Sequence, residues 1–340
     1  MKNRITTLLS GFVLIGLVLS LMTADLLGQE ESGTHRKLAQ TGLKFLTVSV
    51  DAQAAGMADA ISAQETGAIA LFYNPASMAW SQQMFGVALS QTQFIADVQY
   101  NAAAASYRTP FGVFGVSGLM VDYGEFLETI RADNKLGYED IGTYSPTANA
   151  FGVGYARALT NRFAVGGHFK WVSQNLGKAT IELDEAGDPV KNEYAKSVLA
   201  VDFGVMYNTG FRSLKLAMNA RNFSRELTYA EENFELPLTF RIGLSMDLVD
   251  LLPMDAGMHS LLFSIDTERP RDYYENVKVG MEYTLMSMFS VRAGYIGPTD
   301  EQGLSAGIGL RNVAGFDIDY SYSDFGVFDA VNRFTIKFGL

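Results

Sequence analysis

The chain has 340 residues, no cysteine and a formal net charge of -11, with 26 basic against 37 acidic side chains. Those numbers exclude a disulfide framework, thiolate chemistry at a metal or catalytic centre, and a lipid anchor on a cysteine after a signal sequence. Nucleic acid is not an expected partner either, because its phosphates call for a basic face.

In chain order, Lys2 and Arg4 precede an apolar run from Leu8 to Leu21, with Ala24 and Gly28 as small cleavage residues. Residues 1–24, or as far as 28, read as a secretory signal peptide, since the run is shorter than the roughly 18 to 20 residues a spanning helix needs. Residues 25–83 read as a periplasmic or plug segment. Its stretch from Phe45 to Trp80 is rich in alanine and other small residues suited to close quarters, and it reaches Leu71-Phe72-Tyr73-Asn74-Pro75-Ala76. Asn74 before Pro75 reads as an N-cap followed by a first-turn proline, opening a short helix through Ala79. Asn74 and Pro75 are therefore the expected plug motif; the plainer alternative is a small periplasmic helix without a ligand role.

From Met84 to Leu340 the periodicity changes to two. Strands are expected near 84–90, 97–107, 112–122, 148–157, 161–176, 196–208, 213–222, 237–248, 259–268, 275–284, 288–296, 303–312, 315–323 and 331–340. In the last, Phe334, Ile336, Phe338 and Leu340 oppose Arg333, Thr335 and Lys337. A face that stays apolar to the final residue wants lipid. Such alternation averages out in hydropathy windows, which explains a mean hydropathy of only +0.08. Charges at every second position then line a lumen: Arg241, Lys278, Arg292, Arg311 and Arg333, with Asp247, Glu282, Asp317 and Asp319, form an expected ladder of cross-strand ion pairs.

The connectors alternate as well. Long polar ones span 123–147, 177–195 and 223–236, whereas Thr109-Pro110-Phe111, Leu159-Thr160-Asn161 and Val313-Ala314 are tight, with Val249 to Gly257 as an exception. A soluble sandwich has no reason to sort its loops this way. The expected fold is all-β, an antiparallel transmembrane β-barrel of about 14 strands over 84–340 with an N-terminal plug segment containing short helices. The expected location is the bacterial outer membrane, in contact with its lipid, with both termini on the periplasmic, short-turn side. Fourteen strands enclose more than inward side chains fill, so the lumen is plugged or conducts. Phe126, Leu127, Tyr138, Tyr144 and Phe234 are apolar residues in polar loops and hence candidate partner-docking anchors, with loop self-packing as the alternative.

No catalytic residue, metal site or cofactor is expected. Gly303-Leu304-Ser305-Ala306-Gly307 matches a hydrolase nucleophile elbow in letters, but Ile308 and Leu310 continue the strand period where that motif needs a helix. His35, His168 and His259 lack metal-ligand spacing. The acidic loop bearing Glu182, Asp184, Glu185, Asp188 and Glu193 has no EF-hand spacing and reads as solvated.

Phe45-Leu46, the run Asp51-Ala52-Gln53-Ala54-Ala55-Gly56-Met57-Ala58-Asp59-Ala60 and Ala70 to Ala76 resemble the start of the PorV/PorQ family. Leu236 to Gly243, Val279 to Tyr283, Arg292 to Tyr295 and Gly303 to Leu310 continue the resemblance over nearly the whole mature chain. The Tyr-Asn-Pro-Ala element is shared with the wider FadL-like barrels. Ala58 stands where the family typically has a second glycine. The resemblance implies a FadL-like fourteen-stranded outer-membrane barrel. In members that serve type IX secretion it implies reception of exported proteins at the translocon and transfer to surface attachment machinery, with such proteins as partners. The FadL-like architecture alternatively implies a transporter for hydrophobic small molecules, with such a ligand as partner. The family implies no catalytic residue.

Overall fold

The structure, a computed structural model, describes residues 41–183, 189–229, 232–300 and 302–340. The expected signal peptide, residues 25–40 and the N-terminus itself lie outside them. The strands are β1 (Phe85–Gln93), β2 (Gln99–Thr109), β3 (Gly112–Asp122), β4 (Phe126–Arg131), β5 (Tyr138–Tyr144), β6 (Thr147–Ala158), β7 (Phe163–Leu183), β8 (Pro189–Asn208) and β9 (Lys215–Ser224). They continue as β10 (Leu227–Thr228), β11 (Asn233–Phe234), β12 (Thr239–Asp247), β13 (His259–Pro270), β14 (Asn276–Leu285), β15 (Phe289–Gly297), β16 (Leu304–Val313), β17 (Phe316–Ser323) and β18 (Val331–Gly339).

Fourteen of these close into one antiparallel barrel in the order β1, β2, β3, β6, β7, β8, β9, β12 and then β13 to β18, which pairs back onto β1 from Gly86↔Gly339 to Gln93↔Asn332. Closure removes the sheet edges that hydrocarbon would leave unsatisfied. Each of the fourteen corresponds to one expected from the alternation. Burial is inverted relative to a soluble protein: Ile242 is 55 % exposed while its neighbour Arg241 is 3 % exposed. The outer surface is thus the apolar one, as a lipid-facing wall requires.

Two expected loops are strands. The segment 177–195 continues β7 and β8 as one ladder out to Leu183↔Pro189, and 123–147 contains the separate hairpin β4–β5. Both were hidden because charged and polar residues interrupt the alternation on both faces. In the exceptional short-side connector, Leu248–Leu251 forms a 3-10 turn capped by Asp247, whose side chain accepts from the Val249 N–H at 3.0 Å. Asp247 also accepts from Ser260 Oγ at 2.6 Å, so it is a cap where a ladder partner was expected.

Inside the wall, residues 41–83 run from the long-loop rim to the short-turn rim. Thr41 bridges Glu235 beside β11, the Ala52 N–H donates to Thr335 Oγ1 at 2.9 Å, and Met84 reaches the carbonyl of Leu340. The first described residue therefore lies at the long-loop rim and the C-terminus at the short-turn rim.

Wall and inner segment meet at four cross-strand glycine pairs, of which Gly86↔Gly339 faces Gln83 at the short-turn end. Gly115↔Gly154 faces Leu71, Gly166↔Gly204 faces Asn74, Pro75 and Ala76, and Gly280↔Gly294 faces Met57 and Ala58. A Cβ on Gly166 would stand 2.5 Å from the Ala76 nitrogen.

Candidate functional site

The Asn-Pro element acts internally. Pro75 opens a 3-10 turn to Trp80, and Asn74 caps it by accepting from the Ala76 N–H at 3.1 Å. The Asn74 amide donates to the carbonyls of Ser62 at 2.9 Å and Val205 at 3.3 Å, and the side chain is buried. Its hydrogen-bonding capacity is spent on turn and wall. Next to it, the Tyr73 hydroxyl accepts from the Asp51 N–H at 3.1 Å and the Val50 N–H at 3.3 Å, knotting two stretches of the inner segment. Ala58 has φ 52°, a left-handed conformation that costs an L-residue what glycine avoids, which is the physical reason a glycine suits that place.

The lumenal ladder exists, with changed partners. Arg292 touches Glu282 and reaches Asp319 at 2.8 Å; Arg311 lies 3.4 Å from Glu282 and from Asp317. Arg241 pairs with Glu268 at 2.7 Å, as does Lys278 at 2.5 Å. Arg333 instead donates to the Ser49 carbonyl at 2.8 Å, and Lys337, outside the expected ladder, reaches Asp51 at 3.0 Å, so both hold the inner segment.

A second network went unseen in the sequence. Asp202 lies 2.8 Å from Lys170 Nζ and 3.3 Å from His168 Nδ1, and His168 Nε2 lies 2.9 Å from Ser117 Oγ. A β-bulge on β9 makes it: Arg221 and Asn222 both point inward, the Asn222 N–H donates to Asp202 at 2.7 Å, and Arg221 donates to the Leu46 carbonyl at 3.3 Å. Ser-His-Asp order alone does not make a nucleophile. Here Lys170 shares the carboxylate, and the cavity beside Ser117 is only about 20 Å³. Ser305 is the second residue of β16, near the long-loop rim, and accepts from the Ala58 N–H at 3.1 Å, in strand rather than elbow geometry. Among the described residues no group of three or more His, Asp or Glu side chains is placed to hold a metal ion.

Among the described residues, one larger cleft opens at each rim, and the two share no lining residue. The long-loop cleft, about 400 Å³, is lined by Asp59, Glu268, Lys278, Arg333, Phe325 and others; the short-turn cleft, about 370 Å³, includes Glu65, Glu282, Arg311 and Lys337.

At the long-loop rim the five candidate anchors separate. Phe126 packs on Tyr144 across β4–β5 with ring centroids 5.8 Å apart, and Phe234 stacks on Tyr229 at 5.1 Å and covers Gly42. Tyr144 and Phe234 are half-buried by this self-packing, whereas Phe126 stays 46 % exposed beside its partner ring. Among the described residues Leu127 and Tyr138 have no such ring partner and are exposed at 66 % and 46 %. The rim also latches the inner segment, since Thr41 Oγ1 donates to Asp272 at 2.5 Å and Lys44 Nζ contacts the same carboxylate. Burial alone would raise the Asp272 pKa, but these hydrogen bonds and the Lys44 charge bring it below the ordinary value. A pKa lower in the folded state gives a stabilisation present above the unfolded carboxylate pKa of about 3.9 and lost as pH falls through the folded value. Exchange of the Gly42 amide, which donates to Glu235 at 2.9 Å, is expected to stay slow from neutrality to pH 5 and to accelerate at more acid pH, once corrected for intrinsic exchange. Asp272→Asn should give the faster exchange already at neutral pH.

The fold is that of outer-membrane channels. The CymD monoaromatic hydrocarbon channel superposes with a TM-score of 0.59 at 13 % identity, over 86 % of this chain and 98 % of that one. The toluene transporter TodX of Pseudomonas putida gives 0.53 at 12 %, over 84 % and 95 %, and a Pseudomonas aeruginosa FadL homologue 0.53 at 12 %, over 85 % and 98 %. Among curated proteins none matches the chain. The family model described as "Type IX secretion system protein PorV" matches residues 31–250, from before the inner segment to beyond β12, and so this outer-membrane barrel belongs to the PorV family.

Proposed function

We propose that the protein is a non-enzymatic docking barrel of a type IX-like secretion route, which receives exported proteins on its long-loop rim and passes them to attachment machinery. In this reading the long-loop rim faces outward, Leu340 is periplasmic and residues 41–83 act as a plug. The observation that carries it is the inner segment itself. Its backbone packs against paired wall glycines, and the clefts at the two rims share no lining residue. A rigid filled frame suits recognition by loops.

The test is co-purification. Trimming 126–144 and 225–235 is expected to leave a heat-resistant barrel and abolish recovery of an exported protein with it; undiminished recovery would overturn the docking role. The hydrocarbon channels of the same fold suggest transport of a hydrophobic small molecule instead. The larger cleft sets Phe94, Ile296, Phe325 and Phe328 beside Glu268, Lys278, Asp59 and Arg333, and native mass spectrometry finding bound lipid or fatty acid would favour transport. In liposomes the intact protein is expected to pass no small solutes. A fluorophosphonate probe is expected to leave both Ser117 and Ser305 unlabelled.

A further inference from the structure

The β4–β5 hairpin stands outside the barrel sheet and turns only one of its faces inward. Glu128 pairs with Lys191 of the extended β8 at 2.9 Å, and Tyr144 sits over Gly177 of β7. These contacts anchor the face that also carries Phe126. The register places Leu127 opposite Thr143 and Arg131 opposite Tyr138, so Leu127 and Tyr138 share the other face. Leu136, in the turn between the strands, is 73 % exposed. Among the described residues each strand of this sheet pairs only with the other. That face also carries Thr129, Arg131, Asp140 and Thr143; a two-stranded sheet is marginal alone, and covering Leu127 and Tyr138 stabilises it.

Charge identifies what covers it. Among the described residues, the connectors of the long-loop rim (94–98, 123–146, 225–229, 232–238, 271–275, 298–300, 302–303 and 324–330) hold 14 acidic and 4 basic residues, a net of -10. The six of the other rim (110–111, 159–162, 209–214, 248–258, 286–288 and 314–315) hold 2 of each, a net of zero. The acidity of the chain is therefore concentrated on one rim. Divalent cations would need converging carboxylates, which the described residues do not provide, and would have no use for Leu127 and Tyr138.

We propose that the outer face of β4–β5, set in this acidic rim, docks a polypeptide whose contact surface is basic around an apolar patch. The inference rests on the docking reading above and names the chemistry of its partner. Long-range attraction steers the basic surface to the rim, and the Leu127–Tyr138 face holds it once water is excluded.

The test uses the full mature protein in nanodiscs of zwitterionic lipid. Its probes are a twelve-residue peptide alternating lysine with isoleucine and the same peptide with glutamate for lysine. The lysine peptide is expected to bind at least about tenfold more tightly than the glutamate peptide, with association slowing about tenfold between 50 and 500 mM salt. Leu127→Ser with Tyr138→Ser, and separately Glu139→Lys with Asp140→Lys, should each weaken binding several-fold while the barrel stays heat-modifiable. Equal binding of the two peptides, indifference to both variants, or a saturable magnesium site at the hairpin would overturn the proposal. In cells, photo-crosslinkers at Leu127 and at Thr228 separate the two levels of the argument. Exported proteins captured at both positions support the proposal. Capture from Thr228 alone overturns the hairpin site and leaves docking standing, and capture from neither overturns both.

Discussion

Arg292→Ala is expected to cost the barrel about 3 kcal/mol or more, which places it among the most damaging single side-chain truncations in the wall. Arg292 is 1 % exposed and is held between Glu282 on β14 and Asp319 on β17, so it links strands that are not neighbours. Removing it strands carboxylates that are themselves 8 % and 0 % exposed. Arg311 and Lys337 stand 3.5 Å and 3.6 Å from Asp319, too far to replace a charged contact at 2.8 Å, but near enough to hold the loss toward the low end of about 3–5 kcal/mol. The measurement is the temperature at which the compact, fast-migrating form disappears on a semi-native gel. A triple variant, Arg292→Met with Glu282→Gln and Asp319→Asn, removes the charges together and should recover most of that temperature. If the single variant melts like wild type, these charges do not brace the wall. If the triple melts no higher than the single, the loss lies in packing around the guanidinium.

How much of this was legible depended on whether a signal was local. The period-two alternation is local, and it placed all fourteen wall strands because lipid on one side and a polar lumen on the other impose opposite chemistry on successive residues. The Glu282–Arg292 pair was legible for the same reason, since β14 and β15 are joined by a three-residue turn that sets them directly opposite. What failed was what needed the third dimension. Arg333 reads as a ladder member and instead holds the Ser49 carbonyl, because nothing in the strand reveals that the inner segment passes beside it. The Asp202 network hinges on a bulge at Arg221 and Asn222, and a bulge leaves no mark on a pattern that tolerates one extra polar residue. Of the docking anchors, Phe126, Leu127 and Tyr138 kept their exposure and Tyr144 and Phe234 are half-buried, a difference set by cross-strand and loop partners that composition does not encode. The Asn74-Pro75 turn was fully legible, since capping is written in adjacent residues.

Gly166→Val and Gly204→Val are expected to separate the inner segment from the wall. Valine suits a strand better than glycine by up to about 1 kcal/mol, so on propensity alone either change should stabilise the barrel. The inner segment reverses the sign. A Cβ on Gly166 would stand 2.5 Å from backbone atoms of Pro75 and Ala76, and one on Gly204 would overlap the Asn74 amide and come within 3.2 Å of the Pro75 ring. Backbone cannot swing aside as a side-chain tip does, and overpacking of this kind costs about 1–3 kcal/mol or more. Two responses are open to the molecule, and both are measurable: the wall stays closed and the Asn74–Ala79 turn is expelled, giving conductance in planar bilayers and protease-sensitive bonds near Trp80, or the compact form melts at a lower temperature. Gly118→Val is the control, because that glycine points outward and its Cβ would meet Phe151 at an ordinary 3.5 Å. It should be neutral or mildly stabilising and electrically silent. Should Gly166→Val behave like Gly118→Val, residues 74–76 do not lie against the wall, and the filled lumen on which the docking role depends would have to be abandoned.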